Sequence, residues 1–158
     1  MVSGSGTRGA LLKKKEGNMS VDSAVWRPVR PGLFPASPDG AVPSALLASR
    51  CGGCGTVSFP SETICPGCFR SDVVTPFRLS GRGTLYSHAI VRSAPPGFTA
   101  PYAVGYVDLA EGVRLFAPIV VDRFEDLAIG MPVELVVAPV RRDGDVDVIG
   151  YTFRPVRR

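Results

Sequence analysis

The chain has 158 residues and 45% hydrophobic content, which is enough for one ordinary domain, alone or with a small satellite. Its formal charge of +4 comes mostly from residues 1–20, so the remainder is nearly neutral, which disfavours nucleic-acid binding. No apolar run approaches the roughly 20 residues of a membrane helix, and no signal peptide opens the chain. We therefore expect a cytoplasmic protein that does not enter a membrane.

Residues 1–18 differ in composition from the rest of the chain. Every lysine lies in the triplet Lys13–Lys15, and all later basic residues are arginines. This shift favours a leader that is foreign to the protein, with Met19 as the natural start. A genuine flexible basic tail is the alternative.

Residues 19–49 read as an extended, proline-rich arm. Five prolines lie between Pro28 and Pro43, and proline fixes φ and lacks an N–H. Only Ser44–Ser49 is predicted to form a turn or two of helix, capped by Ser44. An arm without its own core is expected to lie on its own barrel or on a partner chain.

Four cysteines form the strongest motif of the chain. Two C-x2-C pairs are separated by ten residues: Cys51, Cys54, Cys65 and Cys68. Tight turns can aim four thiolates at one tetrahedral Zn²⁺, with each sulfur about 2.3 Å from the metal. The spacing predicts a zinc ribbon over residues 50–72, in which Thr56–Pro60 and Ser61–Ile64 form a short hairpin.

Other uses of the cysteines are less consistent with the sequence. Stable disulfides are not expected in a chain without a secretion signal. A redox C-x2-C normally opens a helix, which Gly55 and Pro60 oppose. Iron remains an alternative because tetrahedral thiolate sites accept either metal. A site with four thiolates is closed, so the metal is expected to be structural and not catalytic.

Residues 73–158 show the pattern of a β-barrel with five or six strands. Short turns at Ala110–Gly112 and at Asp143-Gly144 predict two hairpins, and Asp122–Leu127 predicts a helical turn. Short, evenly spaced strands without long helices favour a closed barrel. The predicted strands are Val73–Leu79, Gly83–Arg92, Tyr102–Leu109, Val113–Val121, Val133–Val140 and Val146–Phe153.

Catalytic groups are scarce in this sequence. His88 is the single histidine, and it lies inside a predicted strand, where a packing role is the commoner one. No Ser-His-Asp arrangement, nucleophile elbow or phosphate loop is present, and no lysine follows residue 15. The chain therefore reads as a binding or assembly module.

Two groups of motifs resemble a known family. The first is RCGGCG at 50–55, FP at 59–60 and CPGC at 65–68; the second is LSGRGTLYS at 79–87, PYAV at 101–104, EG at 111–112 and IGMPV at 129–133. Over roughly residues 45–140 the chain is similar to the bacterial and archaeal family that joins a rubredoxin-like zinc ribbon to an OB-fold. That family was long classed as a domain of unknown function.

The resemblance implies a small non-catalytic subunit in a hetero-oligomer. Members accompany thiolase-superfamily enzymes, including thiolases, thiolase-like aldolases and hydroxymethylglutaryl-CoA synthase, where they bridge subunits and help to hold the CoA thioester. This chain departs from the family in two places. Its proline-rich arm replaces an N-terminal helix, and Phe69 replaces the small residue common after the last cysteine.

The loop from Arg92 to Tyr102 is the candidate contact for a partner or for acyl-CoA. Loops on a rigid barrel often carry function. Phe98 and Tyr102 could cover a pantetheine arm or anchor a partner groove, and Arg92 could face a phosphate. The alternative is a structured loop whose aromatic side chains pack on their own barrel.

Two other functional classes remain open at this point. Zinc ribbons and OB-folds also bind nucleic acids, but the near-neutral charge of residues 19–158 does not predict steep salt-dependent binding. An enzyme in its own right would have to rely on His88.

Overall fold

The structure is a computed structural model that describes residues 25–35, 43–94 and 99–156. The described residues form nine strands and one short 3-10 turn at Phe124–Asp126, and they contain no α-helix. The predicted mainly-β fold class is confirmed. In chain order the strands are β1 (Trp26–Pro28), β2 (Leu47–Cys51), β3 (Val57–Ser58), β4 (Val74–Arg78), β5 (Arg82–Val91), β6 (Tyr102–Leu109), β7 (Arg114–Ile119), β8 (Pro132–Asp143) and β9 (Val146–Pro155).

Strands β5 to β9 close into an OB-like barrel. β5 pairs with β6, β6 with β7, and β8 with β9, all antiparallel. The barrel closes where β5 meets β8 over Arg82–Thr84, and where β7 meets β9 in parallel at Ile119 and Phe153. Both predicted hairpin turns form, between β6 and β7 and between β8 and β9. The predicted helical turn is present as the 3-10 turn.

The barrel core follows from the alternation of its strands. In β7, for example, Leu115, Ala117 and Ile119 are buried, and the residues between them are exposed. Phe153 of β9 is fully buried in the same cluster. Such burial of alternate apolar side chains is what the period of a β-strand requires.

Gly105 on β6 allows β5 to bulge. The register of β5 against β6 shifts between Leu85 and Ser87. A Cβ added to Gly105 would collide with the backbone carbonyl of Ser87 and would lie 3.0 Å from the Leu85 side chain. Only glycine lets the two backbones approach this closely.

The ribbon is a three-stranded sheet in the order β3-β2-β4. The prediction of a helical turn at Ser44–Ser49 is wrong, because Leu47–Cys51 is the central strand of this sheet. Pairing on both edges of β2 satisfies its backbone groups and overrides a weak helix propensity. The strand predicted at Val73–Leu79 forms as β4, but it pairs with β2 in the ribbon sheet and not with a barrel strand as predicted.

The hairpin predicted between Thr56–Pro60 and Ser61–Ile64 is also wrong. Val57 and Ser58 pair with β2 instead, and residues 61–64 form no strand. The N–H of Glu62 donates to Ser49 Oγ at 3.0 Å, so this segment is held by a side chain and not by a strand ladder.

The described part of the arm lies on the protein's own barrel and ribbon. β1 pairs in parallel with β9, and Arg27 forms an ion pair with Asp143. Leu33 is buried, and its carbonyl accepts a hydrogen bond from the N–H of Leu47 at 2.8 Å. The leader predicted at residues 1–18, and arm residues 19–24 and 36–42, lie outside the described residues.

Ribbon and barrel share one hydrophobic core. Leu46 and Ala48 beside and within β2 belong to the same buried cluster as the barrel residues. The rings of Phe59 in the ribbon and Tyr151 in β9 meet edge to face, with centroids 5.6 Å apart. The two units therefore pack as one body in which the ribbon covers part of the barrel.

None of the helical structure in the described ranges is long and apolar enough to cross a membrane.

Candidate metal centre

The structure brings the four predicted ligands together. Cys51 ends β2 and Cys54 follows in the next turn, while Cys65 and Cys68 lie in the turns that precede β4. Their sulfur atoms all lie within 4.8 Å of one another. The Cys51–Cys68 and Cys54–Cys65 sulfur pairs are 3.6 Å and 3.5 Å apart.

These distances fit a tetrahedral metal site and not a disulfide. All four cysteines are free, whereas a disulfide needs about 2.05 Å between sulfurs. A tetrahedron with metal–sulfur distances of about 2.3 Å places its sulfurs about 3.8 Å apart. The four cysteines are thus positioned to bind one metal ion, and the donor set is consistent with zinc.

Backbone N–H groups point at the sulfurs in both cysteine turns. The N–H of Gly53 donates to Cys51 Sγ at 3.4 Å, and the N–H of Gly67 donates to Cys65 Sγ at 3.3 Å. A Cβ on Gly67 would lie only 2.6 Å from Thr56 Oγ1. The second turn therefore needs glycine so that the chain can pass close to the Thr56 side chain.

Two thiols of the cluster have pKa values shifted in opposite directions. Hydrogen bonds from the hydroxyl and then the backbone of Thr56, followed by those from Cys65 and Cys68, lower the pKa of Cys54 to about 6. At Cys68 a backbone hydrogen bond from Arg70 favours the thiolate. The neighbouring thiols of Cys51 and Cys54, together with burial, outweigh it and raise the pKa to about 12. A bound dication would remove this conflict by stabilising every thiolate at once.

The cluster is buried on one side only. Cys51 and Cys65 are each 2% exposed, Cys68 is half-buried, and Cys54 faces solvent. Phe69, directly after the last cysteine, is 79% exposed and has a φ of 59°, a conformation that costs a non-glycine residue energy. Its N–H donates to the carbonyl of Cys65 at 2.8 Å, which closes the second turn.

Two of the predicted contact residues, Arg92 and Tyr102, lie where β5 ends and β6 begins. Arg92 is exposed and directly follows Val91, and Val91 pairs with Tyr102, which is half-buried. Arg92 and Tyr102 are therefore at the same end of the barrel. Phe98 lies outside the described residues.

His88 does not lie in the cysteine cluster. Its partner in register is Gly105, whose position is buried, so the imidazole faces the barrel interior. Among the residues that the structure describes, its buried Nδ1 has no hydrogen-bond partner.

Sequence reasoning missed a carboxylate that joins ribbon and barrel. Glu111, in the turn between β6 and β7, accepts a hydrogen bond from the N–H of Ser80 at 2.6 Å. Burial acts to raise the pKa of Glu111, but the hydrogen bonds from Ser80 and the charge of Arg50 hold it below its usual value. The Glu-Gly pair at 111–112 was visible in the sequence, but nothing local indicated its partner.

Comparison with known proteins supports the assignment of a zinc ribbon and an OB-fold to the two halves of the chain. A family model for the ChsH2 rubredoxin-like zinc ribbon domain matches residues 39–74, and one for the ChsH2 C-terminal OB-fold domain matches residues 78–138. A DUF35 domain-containing scaffold protein of Methanocaldococcus jannaschii is 44% identical over 70% of this chain and 82% of its own length.

Two further relatives carry more specific names. The benzoylsuccinyl-CoA thiolase subunit BbsA of Thauera aromatica is 39% identical over 80% of this chain and 86% of its own length. A solved structure of an Ltp2-ChsH2(DUF35) aldolase has a chain 33% identical to this one, with a TM-score of 0.59 over 70% of this chain and 84% of that chain. With its cysteine cluster, its OB-like barrel and these matches, the chain belongs to the DUF35 family of paired zinc-ribbon and OB-fold proteins.

Proposed function

We propose that this chain is a non-catalytic accessory subunit of an acyl-CoA-processing complex whose catalytic subunit belongs to the thiolase superfamily. The observation that carries the proposal is its similarity, over most of its length, to a thiolase subunit and to a chain of an aldolase complex. In this role the chain bridges subunits, and its partner supplies the nucleophile and the base.

The four cysteines are proposed to hold one structural Zn²⁺. Their spacing, their four-thiolate donor set and their sulfur separations support this assignment. A closed four-thiolate site has no open position for substrate. The metal would thus hold the ribbon in shape and contribute to folding instead of chemistry.

The β5–β6 end of the barrel is proposed to contact the partner or the CoA thioester. Arg92 is exposed there, and Tyr102 lies beside it at the start of β6. A guanidinium suits a phosphate of CoA. Phe98, which lies between them in the sequence, is the proposed apolar contact.

Reconstitution with the catalytic subunit tests the proposed role. The isolated chain should not turn over acyl-CoA thioesters, and the thiolase-superfamily subunit should gain activity or stability when the chain is added. His88→Ala should leave the activity of the complex unchanged. Turnover by the isolated chain that disappears in His88→Ala would overturn the proposal.

The same assay tests the proposed CoA contact through the KM for acyl-CoA. Arg92→Ala should raise the KM for acyl-CoA in the complex by about tenfold, as expected for loss of a charge-assisted contact. Arg78→Ala, an exposed arginine on the ribbon sheet, is the matched control and should leave KM unchanged. An unchanged KM in Arg92→Ala would remove this residue from the contact.

A further inference from the structure

Three neighbouring barrel strands carry apolar side chains on their outer face. Tyr106 pairs with Phe116 across β6 and β7, and their rings lie 5.2 Å apart. One row further, Val104 pairs with both Ala89 and Pro118. Tyr86 in the β5 bulge completes this set, called here the outer aromatic face: Tyr86, Ala89, Val104, Tyr106, Phe116 and Pro118.

This face breaks the usual pattern of an antiparallel sheet. Such sheets bury one face and present polar residues on the other. The outer aromatic face instead leaves three large rings exposed: Tyr86 by 50%, Tyr106 by 45% and Phe116 by 53%. Adjacent exposed apolar groups of this size mark a surface that is covered in the working assembly.

The same barrel follows the usual pattern elsewhere. Where β5, β8 and β9 run side by side, Arg82 is in register with Glu134, and Glu134 with Arg154. The Arg154 and Glu134 side chains form an ion pair at 2.8 Å. The outer aromatic face is therefore a local feature and not the general composition of the barrel surface.

The charges that border the face neutralise each other. Arg114 forms an ion pair with Asp108 at 2.6 Å, and its guanidinium lies 3.4 Å from the centre of the Tyr86 ring. A nucleic-acid site would need basic groups free to meet phosphates. Aromatic residues combined with one arginine are instead typical of the central part of protein–protein interfaces.

A groove between barrel and ribbon continues this surface. The groove has a volume of about 500 Å³, and Arg114 lines it together with Val113. Its opposite wall comes from the ribbon and includes Phe59, Pro60 and Ile64, of which Ile64 is 55% exposed. Because Arg114 lines the groove and its guanidinium also contacts the Tyr86 ring, the groove adjoins the outer aromatic face.

The dimensions of this surface suit a protein partner. Three strands about 4.8 Å apart, measured along the eight residues of β6, present a sheet surface on the order of 400 Å², of which the outer aromatic face is a part. A standard interface takes about 800 Å² from each partner. The face therefore supplies less than half of that area and the adjoining groove extends it, so both units of the chain would contact the partner.

We infer that the outer aromatic face and the ribbon–barrel groove together form the docking surface for the thiolase-superfamily subunit, which would meet it with an uncharged, apolar surface. The inference rests on the proposed function and names the surface that carries it. It also requires a rigid ribbon, because ribbon residues form one wall of the groove.

The test is a binding measurement with the purified thiolase-superfamily subunit and the full chain. The double variant Tyr106→Ser/Phe116→Ser should bind about 100-fold more weakly than the unmodified chain, as loss of central aromatic anchors predicts. Phe69→Ser is the matched control: its ring is 79% exposed, and Phe69 lies outside the face and outside the groove lining. Its affinity should stay within about threefold of the unmodified chain. Metal content and far-UV circular dichroism should be unchanged in both variants.

Each alternative outcome has a distinct meaning. If the complex forms and the double variant binds normally, or if Phe69→Ser is the disruptive change, this docking surface is wrong and the accessory role stands. If the double variant only abolishes self-association of the chain, the face is a homodimer contact and the inference is overturned. If no thiolase-superfamily protein binds the chain at all, the proposed function fails and this inference fails with it.

Discussion

The ribbon and the barrel stay folded by different means. Between Gly52 and Arg78 the only buried residue is Cys65, whereas β7 alone buries three apolar side chains. Ala48 of β2 belongs to the core that ribbon and barrel share. The part of the ribbon that carries the cysteine turns thus has no core of its own, and the proposed metal replaces one. The barrel is stabilised by apolar burial and strand pairing. A substitution in the ribbon should therefore change metal binding, whereas a substitution in the barrel core should change the free energy of unfolding.

Loss of one cysteine should produce the largest difference in folding between the ribbon and the barrel. Cys65→Ser removes one of four ligands and the only buried side chain of the segment, so the ribbon should unfold and release its metal. Apparent binding energies of structural zinc are about 10–16 kcal/mol, far more than a ribbon without a core can replace. Metal analysis, combined with NMR signals assigned to β6 and β7, measures both units at once.

The barrel should stay folded in that variant. Thr63→Ser, an exposed neighbour in the same loop, is the control and should keep one metal per chain. A Cys65→Ser protein that still binds one equivalent of zinc would contradict the four-cysteine assignment.

A substitution that creates a cavity in the barrel should have the second-largest effect on stability. Phe153→Ala removes a ring that is 0% exposed in the shared core and should lower the free energy of unfolding by about 3–5 kcal/mol. Phe116→Ala is the matched control, because its ring is 53% exposed, and it should change stability by less than about 1 kcal/mol. Urea denaturation followed by circular dichroism gives both values, and similar losses in the two variants would count against the described core.

Contacts between the ribbon and the barrel should contribute less to stability. The edge-to-face pair of Phe59 and Tyr151 should show a coupling energy of about 0.5–1.5 kcal/mol in a double-mutant cycle with leucine at each position. A coupling near zero would mean that ribbon and barrel are not joined through these rings.

The smallest expected effect is a pH dependence at the ribbon–barrel junction. The pKa of Glu111 is lower in the folded protein than in the unfolded chain, so its contribution is fully present above the unfolded value of about 4.5. That contribution is lost as the pH falls through the lower folded value. Glu111→Gln should therefore reduce stability at pH 7 and should match the unmodified protein more closely near pH 3. Thermal melts at both pH values test this, and an equal difference at both would contradict it.

Local signals explain which parts of this structure were predictable. The C-x2-C spacing, the Asp-Gly turn at residues 143–144 and the alternating apolar strands act over a few residues, so they could be read directly from the sequence. Similarity to a known family added the pairing of ribbon and barrel, which no single motif would have indicated.

The missed features all depend on which segments pair and in which register. Leu47–Cys51 is a strand because β3 and β4 flank it, and its own residues carry no strong strand signal. The outer aromatic face becomes visible only when the register places Tyr106 beside Phe116. The bond between Glu111 and Ser80 likewise joins residues 31 positions apart.

Native mass spectrometry of the chain purified at low salt from its own organism is the decisive test of the accessory role. We expect a complex with a thiolase-superfamily subunit that carries one zinc ion for each copy of this chain. A chain that is isolated without a protein partner, or whose complex contains no metal, would contradict it.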